Sequence, residues 1–275
     1  MGNPKELSVP KSLVVIMKAV RVPDLRAMKE RGEKIAVWTA YDFTMARLLD
    51  RAGIDVILVG DSVGMAVLGY DTTLPVTLDM IIHHTAAVSR GAKRALIVAD
   101  MPFLTYQLSV EDAMRNAGRL IQEGGAAAVK IEGGRQIGET AKRLVDIGVP
   151  VMGHIGLTPQ SVHQLGGFRP QGRDSEAADR LAKDAETLER AGVFAIVLES
   201  IPSDLAGRIS ASLKIPTIGI GAGTQCDGQV LVSYDALGLT EAPPPFAKQY
   251  AHLSEQILSA ARAFIDDVRA NGSHR

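Results

Sequence analysis

The feature that most constrains the fold is a repeated alternation of short apolar runs with longer amphipathic stretches. Seven of the runs have the length and the β-branched content of buried strands. Near-continuous apolar strands that alternate with helices predict a parallel sheet covered by helices. The predicted strands are IAVWTA (35–40), VILVG (56–60), ALIVAD (95–100), AAVKIE (127–132), PVMGHI (150–155), FAIVLES (194–200), PTIGIG (216–221) and, as the candidate eighth, VLVSYDAL (230–237).

The number of strand–helix units in 275 residues favours a closed barrel over an open sheet. Seven or eight units fit a (βα)8 TIM barrel, and no GxGxxG motif follows the first predicted strand, as a doubly wound dinucleotide-binding sheet would require. No linker rich in Pro, Gly or Ser divides the chain. We therefore predict a single α/β barrel domain over residues 22–270, an N-terminal extension of unknown role over 1–21, and a disordered tail over 271–275.

Charge and cysteine content exclude several classes of protein. The 30 basic and 31 acidic residues give a formal net charge of −1, whereas proteins that grip nucleic acid or anionic membranes carry a basic excess. Cys226 is the single cysteine, so no intramolecular disulfide can form. The apolar run Leu13–Met17 is too short for a signal-peptide core or a membrane span. We expect a cytoplasmic protein with neither a nucleic-acid nor a membrane partner.

Polar side chains stand at the ends of five consecutive predicted strands. In parallel α/β folds the carboxyl ends of the strands and the loops that follow them build the active site. Lys130 and Glu132 are two residues apart on one strand, so they share a face. The complete set is Asp61, Ser62, Asp100, Lys130, Glu132, His154 and Glu199.

Each position also has a purely structural explanation. An Asp after a strand often forms a turn or caps the next helix. His154 alone fits a hydrogen-bonded structural histidine, and Lys130 with Glu132 fits a local ion pair. Their joint occurrence at five strand ends favours a site. By contrast, His83 and His84 lie in the middle of a predicted helix and are interpreted as structural.

The candidate residues suit the removal of a proton next to a ketone. Asp61, Asp100 and Glu132 offer hard oxygen ligands, which suit Mg²⁺ better than zinc. A 2-oxo acid could complete the shell of such an ion, which would stabilise an enolate. Lys130 offers a cation for the substrate carboxylate, and Glu199 remains as the base.

A glycine-rich segment, GIGAG (219–223), closes the seventh predicted strand. Its backbone amides could cradle a phosphate, as the loops after strands 7 and 8 of barrels often do. No basic residue stands next to it, and a tight glycine turn explains the segment equally well. Both interpretations stay open at this point.

Nine sequence blocks carry a family resemblance. In order and spacing, from about Val22 to about Gly238, they resemble the ketopantoate hydroxymethyltransferase family. The blocks are TAYD (39–42), VGDSVGM (59–65), TLPVTLDM (73–80), HHTAAV (83–88), VKIEGG (129–134), GHIGLTPQSV (153–162), GGFRPQGR (166–173), VLESIP (197–202) and GIGAG…DGQ (219–229).

The resemblance implies a (βα)8 barrel that transfers a hydroxymethyl group from 5,10-methylenetetrahydrofolate to 3-methyl-2-oxobutanoate. The product would be 2-dehydropantoate, in the first committed step of pantothenate biosynthesis. The small-molecule partners would be the 2-oxo acid and the folate. Family members are homo-oligomers, often decamers of two pentameric rings.

The resemblance also implies a role for each site residue. Asp61 and Asp100 would bind Mg²⁺, with Glu132 helping through water. The family's substrate contacts fall on Asp61, Ser62, Asp100 and Lys130 of this sequence. The proton acceptor falls on Glu199, and His154 supports the substrate or its enolate.

Three alternatives remain beside this hypothesis. Lys130 could form a Schiff base with the ketone in a metal-free aldolase, although Glu132 nearby would keep the amine protonated. A Mg²⁺-dependent C–C or C–P lyase of the phosphoenolpyruvate mutase type would share the fold and the metal. A non-catalytic binding protein would show gaps in the strand-end set, and the sequence shows none.

Overall fold

Eight parallel strands close into a barrel in the computed structural model, which describes residues 18–271. The strands follow one another around the barrel in chain order, and β8 pairs with β1 to close it. The predicted TIM barrel is confirmed. The strands are β1 (Ile35–Thr39), β2 (Val56–Val59), β3 (Leu96–Asp100), β4 (Ala128–Glu132), β5 (Val151–Gly156), β6 (Ala195–Glu199), β7 (Thr217–Ile220) and β8 (Gly228–Leu231).

Helices connect the strands and surround the barrel. Several begin at a side-chain cap: the Ser109 hydroxyl accepts from the Asp112 backbone N–H, and the Asp42 carboxylate accepts from the Met45 N–H. The helices are α1 (Val22–Glu30), α2 (Phe43–Ala52), α3 (Val63–Ala66), α4 (Leu78–Gly91), α5 (Val110–Gln122), α6 (Gly138–Asp146), α7 (Val162–Leu165), α8 (Ser175–Ala191), α9 (Ser203–Ser212), α10 (Ser233–Ala236) and α11 (Leu253–Asn271).

The eighth strand differs from its predicted position at 230–237. It begins two residues earlier, at Gly228, and the later residues form the short helix α10. Gly228 pairs with both Ile35 and Ile218, where a Cβ would collide with the Ile35 carbonyl and the Ile218 side chain. Beyond the strand, the Ser233 N–H donates to the Thr39 hydroxyl and turns the chain into α10. Glycine is a poor strand former, so its presence hid the start of β8.

The inside of the barrel is filled by apolar side chains from all eight strands. Leu25 of α1 packs with them at the end where the strands begin. These side chains alternate along each strand with others that face the surrounding helices. The inward-facing residues of this layer are Ile35, Val37, Val56, Leu58, Leu96, Val98, Ala128, Met152, Ala195, Val197, Ile218 and Val230.

Parts of the predicted domain boundaries fall outside the described residues. Of the predicted extension over 1–21, residues 1–17 lie outside them, as do residues 272–275 of the predicted tail. Asn271 is the last residue of α11. No helix within residues 18–271 is long and apolar enough to cross a membrane.

Two helical glycines predict opposite effects of the same substitution. A Cβ added at Gly91 of α4 would collide with the carbonyl oxygen of Phe43 and lie 3.0 Å from the Cβ of Ala46 in α2. We expect Gly91→Ala to lower the free energy of unfolding by about 1–3 kcal/mol through overpacking. The matched control is Gly118→Ala in α5, where an added Cβ meets nothing within 4 Å. It should raise the free energy by about 0.5–1 kcal/mol. Urea unfolding curves measure both, and equal shifts would contradict the packing argument.

Candidate active site

The predicted site residues continue the inward-facing rows of the barrel. Asp100 lies two positions beyond Val98 on β3, and His154 lies two positions beyond Met152 on β5. Because side chains two apart share a face, the apolar layer below becomes a charged layer at the mouth. A cavity of about 1460 Å³ opens there. All seven predicted residues line it: Asp61, Ser62, Asp100, Lys130, Glu132, His154 and Glu199.

Strand register decides which charged groups meet. Asp100 of β3 is in register with Lys130 of β4, and Glu132 of β4 is in register with His154 of β5. Lys130 Nζ lies 2.9 Å from Asp100 Oδ1. The ion pair of Lys130 is therefore with Asp100, and the local pair with Glu132 that the sequence also allowed is replaced by a cross-strand pair.

Burial and negative charge act in opposite directions on the Lys130 amine. Burial lowers the pKa of Lys130, but the carboxylates of Asp100, Glu132 and Asp61 outweigh it, so the pKa stands above its usual value. The amine is therefore an ammonium ion at neutral pH. A protonated amine cannot attack a ketone, which weighs against the Schiff-base alternative.

His154 joins two carboxylates. Its Nδ1 lies 3.3 Å from Glu132 Oε1, and its Nε2 lies 3.1 Å from Glu199 Oε2. Burial and the charge of Lys130 lower the pKa of His154, but the close carboxylates of Glu132 and Glu199 outweigh them and raise it to about 9. The imidazole is thus charged at neutral pH. The pKa of Glu132 is raised by burial, but its bonding to His154 brings it below the usual value.

Asp61 lies at the centre of the negative charge. Its backbone N–H donates to Asp100 Oδ2 at 2.9 Å. Burial raises the pKa of Asp61 well above its usual range, and the charges of Asp100 and Glu132 raise it further. Next to it, the Ser62 hydroxyl shares a 2.8 Å hydrogen bond with the Tyr41 hydroxyl.

Several buried polar atoms at the mouth lack a well-aligned hydrogen bond. They are Asp100 Oδ1, Glu132 Oε1 and His154 Nε2, each of which has an ion-pair neighbour at a poor angle. Buried polar atoms without aligned partners are uncommon and are typical of ligand sites. Among residues 18–271, these three atoms are thus paired by charge without a hydrogen bond of good geometry.

The donor set fits a hard cation in its chemistry. When ionised, the four carboxylates are contacted by two cations among residues 18–271, Lys130 and His154, so two negative charges are left over. Oxygen donors with excess negative charge suit Mg²⁺. Within residues 18–271, however, no group of three or more His, Cys, Asp or Glu is arranged as a ready metal site.

Two residues that the sequence analysis did not single out complete the site. Gln160 Nε2 donates to Asp61 Oδ2 at 2.9 Å, and the Tyr106 hydroxyl lies 2.8 Å from Gln160 Oε1. Both side chains are buried. The signal for Gln160 was its place in GHIGLTPQSV, just after β5, but a neutral residue does not stand out in a search for charges.

Two histidines on α4 and the GIGAG segment at the end of β7 lie near the site. His84 Nδ1 lies 2.7 Å from the Tyr41 carbonyl oxygen, and His83 is exposed beside it, in keeping with structural roles. In GIGAG, Gly221 and Gly223 have φ of +61° and +76°. An added Cβ at Gly221 would collide with the Phe246 ring. These features favour the tight-turn interpretation.

Sequence comparison places the chain among known proteins. The profile of a family described as ketopantoate hydroxymethyltransferase matches residues 19–272. The chain belongs to this family. The 3-methyl-2-oxobutanoate hydroxymethyltransferase of Moorella thermoacetica is 59% identical over 251 residues, which cover 91% of this chain and 93% of the relative. The protein of the same name from Syntrophus aciditrophicus is 57% identical over 250 residues, 90% of this chain and 92% of the relative. Family membership makes the chain a transferase enzyme.

Solved structures with little sequence identity share the fold. A phosphonopyruvate hydrolase complexed with oxalate and Mg²⁺ superposes with a TM-score of 0.62 at 13% identity, over 93% of this chain and 89% of that one. A 2,3-dimethylmalate lyase, a member of the phosphoenolpyruvate mutase/isocitrate lyase superfamily, gives 0.58 at 17% identity, over 92% and 88%. The barrel is therefore common to several chemistries.

The pKa of His154 yields a testable pH dependence. In protein freed of divalent cations by a chelator, we expect its imidazole to titrate near pH 9, because two carboxylates hold the charged form. The folded pKa lies above the unfolded value of about 6.5. The stabilisation is therefore complete below about pH 6.5 and is lost as the pH rises through the folded pKa.

Imidazole NMR resonances measure this pKa, and unfolding curves measure the stability. Glu132→Gln removes one of the two carboxylates and should lower the pKa of His154. A wild-type pKa at or below the unfolded value would show that burial prevails over the carboxylates.

Proposed function

We propose that the chain transfers a hydroxymethyl group from 5,10-methylenetetrahydrofolate to 3-methyl-2-oxobutanoate and forms 2-dehydropantoate. This would be the first committed step of pantothenate biosynthesis. The observation that carries the proposal is the convergence of all seven strand-end residues on one cavity, in a chain more than half identical to enzymes named for this reaction.

Lys130 and Ser62 bind the 2-oxo acid. The Lys130 ammonium ion is the cation best placed to pair with the substrate carboxylate, since its only close ion-pair partner within residues 18–271 is Asp100. The Ser62 hydroxyl, held by Tyr41, can donate to a substrate oxygen. Asp61 and Asp100 complete the contacts from the neighbouring strand ends.

Asp61 and Asp100 would hold Mg²⁺, with Glu132 contributing through water. Their buried oxygens, the unaligned Asp100 Oδ1 and the surplus of negative charge support this assignment. When bound, the ion would act as a Lewis acid that stabilises negative charge on the oxygen of the keto group. The solved phosphonopyruvate hydrolase with oxalate and Mg²⁺ supports the presence of such a site in this fold.

Glu199 takes the proton from C3 of the substrate. Its carboxylate lies at the mouth, 15% exposed, with Oε2 held 3.1 Å from the His154 imidazolium. This contact orients Glu199 and leaves Oε1 available for the proton. The carbon that loses the proton then bonds to the methylene carbon of the folate in its iminium form. Water then replaces the folate nitrogen on this methylene carbon. Its oxygen forms the new C–O bond, the C–N bond breaks, and the nitrogen takes the proton that water gives up as tetrahydrofolate is released.

The cavity has room for the folate. Its volume of about 1460 Å³ exceeds what a five-carbon acid fills, and common ligand pockets measure about 300–1000 Å³. The seven predicted site residues lie at the ends of β2–β6, whereas β7 and β8 contribute apolar lining such as Ile220 and Val230. Tyr234 and Phe246 add aromatic surface on this apolar side. A planar pterin ring suits such a surface, which we assign to the folate.

The exposed helix α11 supports assembly into a homo-oligomer. Its apolar residues Ile257, Leu258 and Ile265 are 57%, 55% and 41% exposed in the single chain. A helix with so many exposed apolar side chains is typical of an interface. We extend the proposal to a homo-oligomer, with a decamer as the family precedent, located in the cytoplasm.

The test of the proposed function is a reconstituted assay. Purified enzyme with 3-methyl-2-oxobutanoate, 5,10-methylenetetrahydrofolate and Mg²⁺ should form 2-dehydropantoate, and a chelator should abolish the product. Mass spectrometry identifies the product. Incubation with phosphonopyruvate or isocitrate tests the lyase alternative, and borohydride trapping with substrate tests the Schiff base. Absence of 2-dehydropantoate with all components present would refute the proposal.

The base is tested by hydrogen exchange. Glu199→Gln should slow deuterium exchange at C3 of 3-methyl-2-oxobutanoate by at least about 100-fold, because the amide cannot accept the proton. NMR in D₂O follows the exchange without folate. The matched control is Glu176→Gln, which makes the same change at an exposed position on α8. Wild-type exchange in Glu199→Gln would remove Glu199 from the role of base.

A further inference from the structure

One neutral side chain, Gln160, links the ends of neighbouring strands behind the cavity. It lies in a single 3₁₀ turn, Pro159–Ser161, that follows β5. Its Nε2 donates to Asp61 Oδ2 at 2.9 Å and to the Met101 carbonyl oxygen at 3.0 Å. The loop after β5 is thereby tied to the residues that follow β2 and β3.

The other polar atoms of Gln160 are also engaged. Its backbone N–H donates to Glu132 Oε2 at 3.0 Å. Its Oε1 lies 2.8 Å from the Tyr106 hydroxyl and accepts from Gln107 Nε2 at 3.2 Å. The amide nitrogen thus faces two acceptors and the amide oxygen faces two donors. A flipped amide would lose its contacts with Asp61 Oδ2, the Met101 carbonyl and Gln107 Nε2, so its orientation is determined.

The same arrangement recurs on three carboxylates. Asp61 Oδ2 and Glu132 Oε2 are bonded by Gln160, and Asp100 Oδ2 is bonded by the Asp61 backbone N–H. On Asp100 and Glu132 the opposite oxygens, Oδ1 and Oε1, have no aligned hydrogen bond. One oxygen of each carboxylate is therefore fixed by a hydrogen bond, while Asp100 Oδ1 and Glu132 Oε1 are paired with Lys130 and His154 by charge.

We propose that Gln160 is a positioning residue whose side chain orients the Asp61 carboxylate and whose backbone N–H orients that of Glu132, and that it thereby sets the affinity of the site for a divalent cation. It contacts neither the cation nor the substrate and acts through the two carboxylates. The inference rests on the proposed function, in which these carboxylates serve Mg²⁺. Mutation of residues that hydrogen-bond to metal-binding side chains typically weakens metal affinity by about 10–100-fold.

The neutrality of Gln160 matters as much as its position. A carboxylate at 160 would add another negative charge beside Asp61, and an apolar side chain would leave the Met101 carbonyl and the Tyr106 hydroxyl with fewer partners. The amide donates without adding charge. Burial and the charges of Asp100 and Glu132 raise the pKa of Asp61, and the hydrogen bond from Gln160 opposes them.

The test is cation affinity in the substrate-free full-length protein. Gln160→Met has a similar length and removes the amide, and it should weaken Mn²⁺ binding by about 10–100-fold in isothermal titration calorimetry. The matched control is Gln107→Met, since Gln107 is exposed and its side chain donates to Gln160 Oε1 without contacting a carboxylate of the site. Tyr106 still bonds that oxygen, so its affinity should stay within about twofold of wild type.

A merely structural role predicts a different result. Gln160→Met would then lower the free energy of unfolding but bind Mn²⁺ with wild-type affinity, which would overturn the proposal. Should Gln160→Met fail to fold, Tyr106→Phe replaces it, because that change removes the hydroxyl that orients the amide while Gln160 stays. Wild-type affinity in folded Tyr106→Phe would likewise overturn it.

The failure of the proposed function gives a separate signature. If wild-type protein binds no Mn²⁺, the metal assignment falls and the positioning proposal falls with it. If wild-type protein binds Mn²⁺ and forms 2-dehydropantoate while Gln160→Met matches it in affinity, only the positioning proposal falls. Retained affinity in Gln107→Met together with the loss in Gln160→Met supports the proposal.

Discussion

The arrangement of the barrel mouth follows from one electrostatic constraint, the burial of three carboxylates, with a fourth partly exposed, beside two cationic side chains. Asp61, Asp100 and Glu132 are each at most 6% exposed, and burying unpaired charge costs several kcal/mol per ion. Lys130 and His154 offset part of the charge, and both hold their protons because of it. The remaining negative charge is stabilised by uncharged hydrogen-bond donors and, under the proposed function, by a divalent cation.

Register converts this constraint into a specific geometry. Residues two apart on one strand share a face but are separated by about 6–7 Å, whereas in-register residues on adjacent parallel strands lie about 4.8 Å apart. Lys130 therefore meets Asp100 across the sheet, and His154 meets Glu132 in the same way. The closed barrel makes this row continuous from β2 to β6, so a change at one member alters the surroundings of the next.

The same distances explain how much the sequence could predict. Seven strands fall within a residue or two of their predicted ends because β-branched runs mark them. The seven polar residues predicted at strand ends all line the cavity. The start of β8 stayed hidden because Gly228 is there for close packing and carries no strand signal. The partner of Lys130 depends on register between strands far apart in sequence, which local spacing does not encode.

Gln160 and Tyr106 could not be found by the same reasoning, for a related reason. Both lie in loops, and neither carries a charge that would be costly to bury alone. Their importance comes from the atoms they meet, such as Asp61 Oδ2 and the Glu132 backbone, which only the folded chain brings together. Sequence patterns thus locate the charged residues that are costly to bury, while the structure locates the neutral residues that hydrogen-bond to them.

The division of the mouth into a charged side and an apolar side links these electrostatics to the proposed chemistry. An acid and a cation need the charged layer of β2–β6, and a flat ring system needs surface that can be desolvated without loss of hydrogen bonds. The apolar residues Ile220 and Val230, with Tyr234 beside them, provide that surface on the remaining strands. Glu199 stands on β6, where the charged side ends. A base at this border faces the oxo acid on one side and the incoming one-carbon unit on the other, so proton removal and carbon–carbon bond formation can share one position in the barrel.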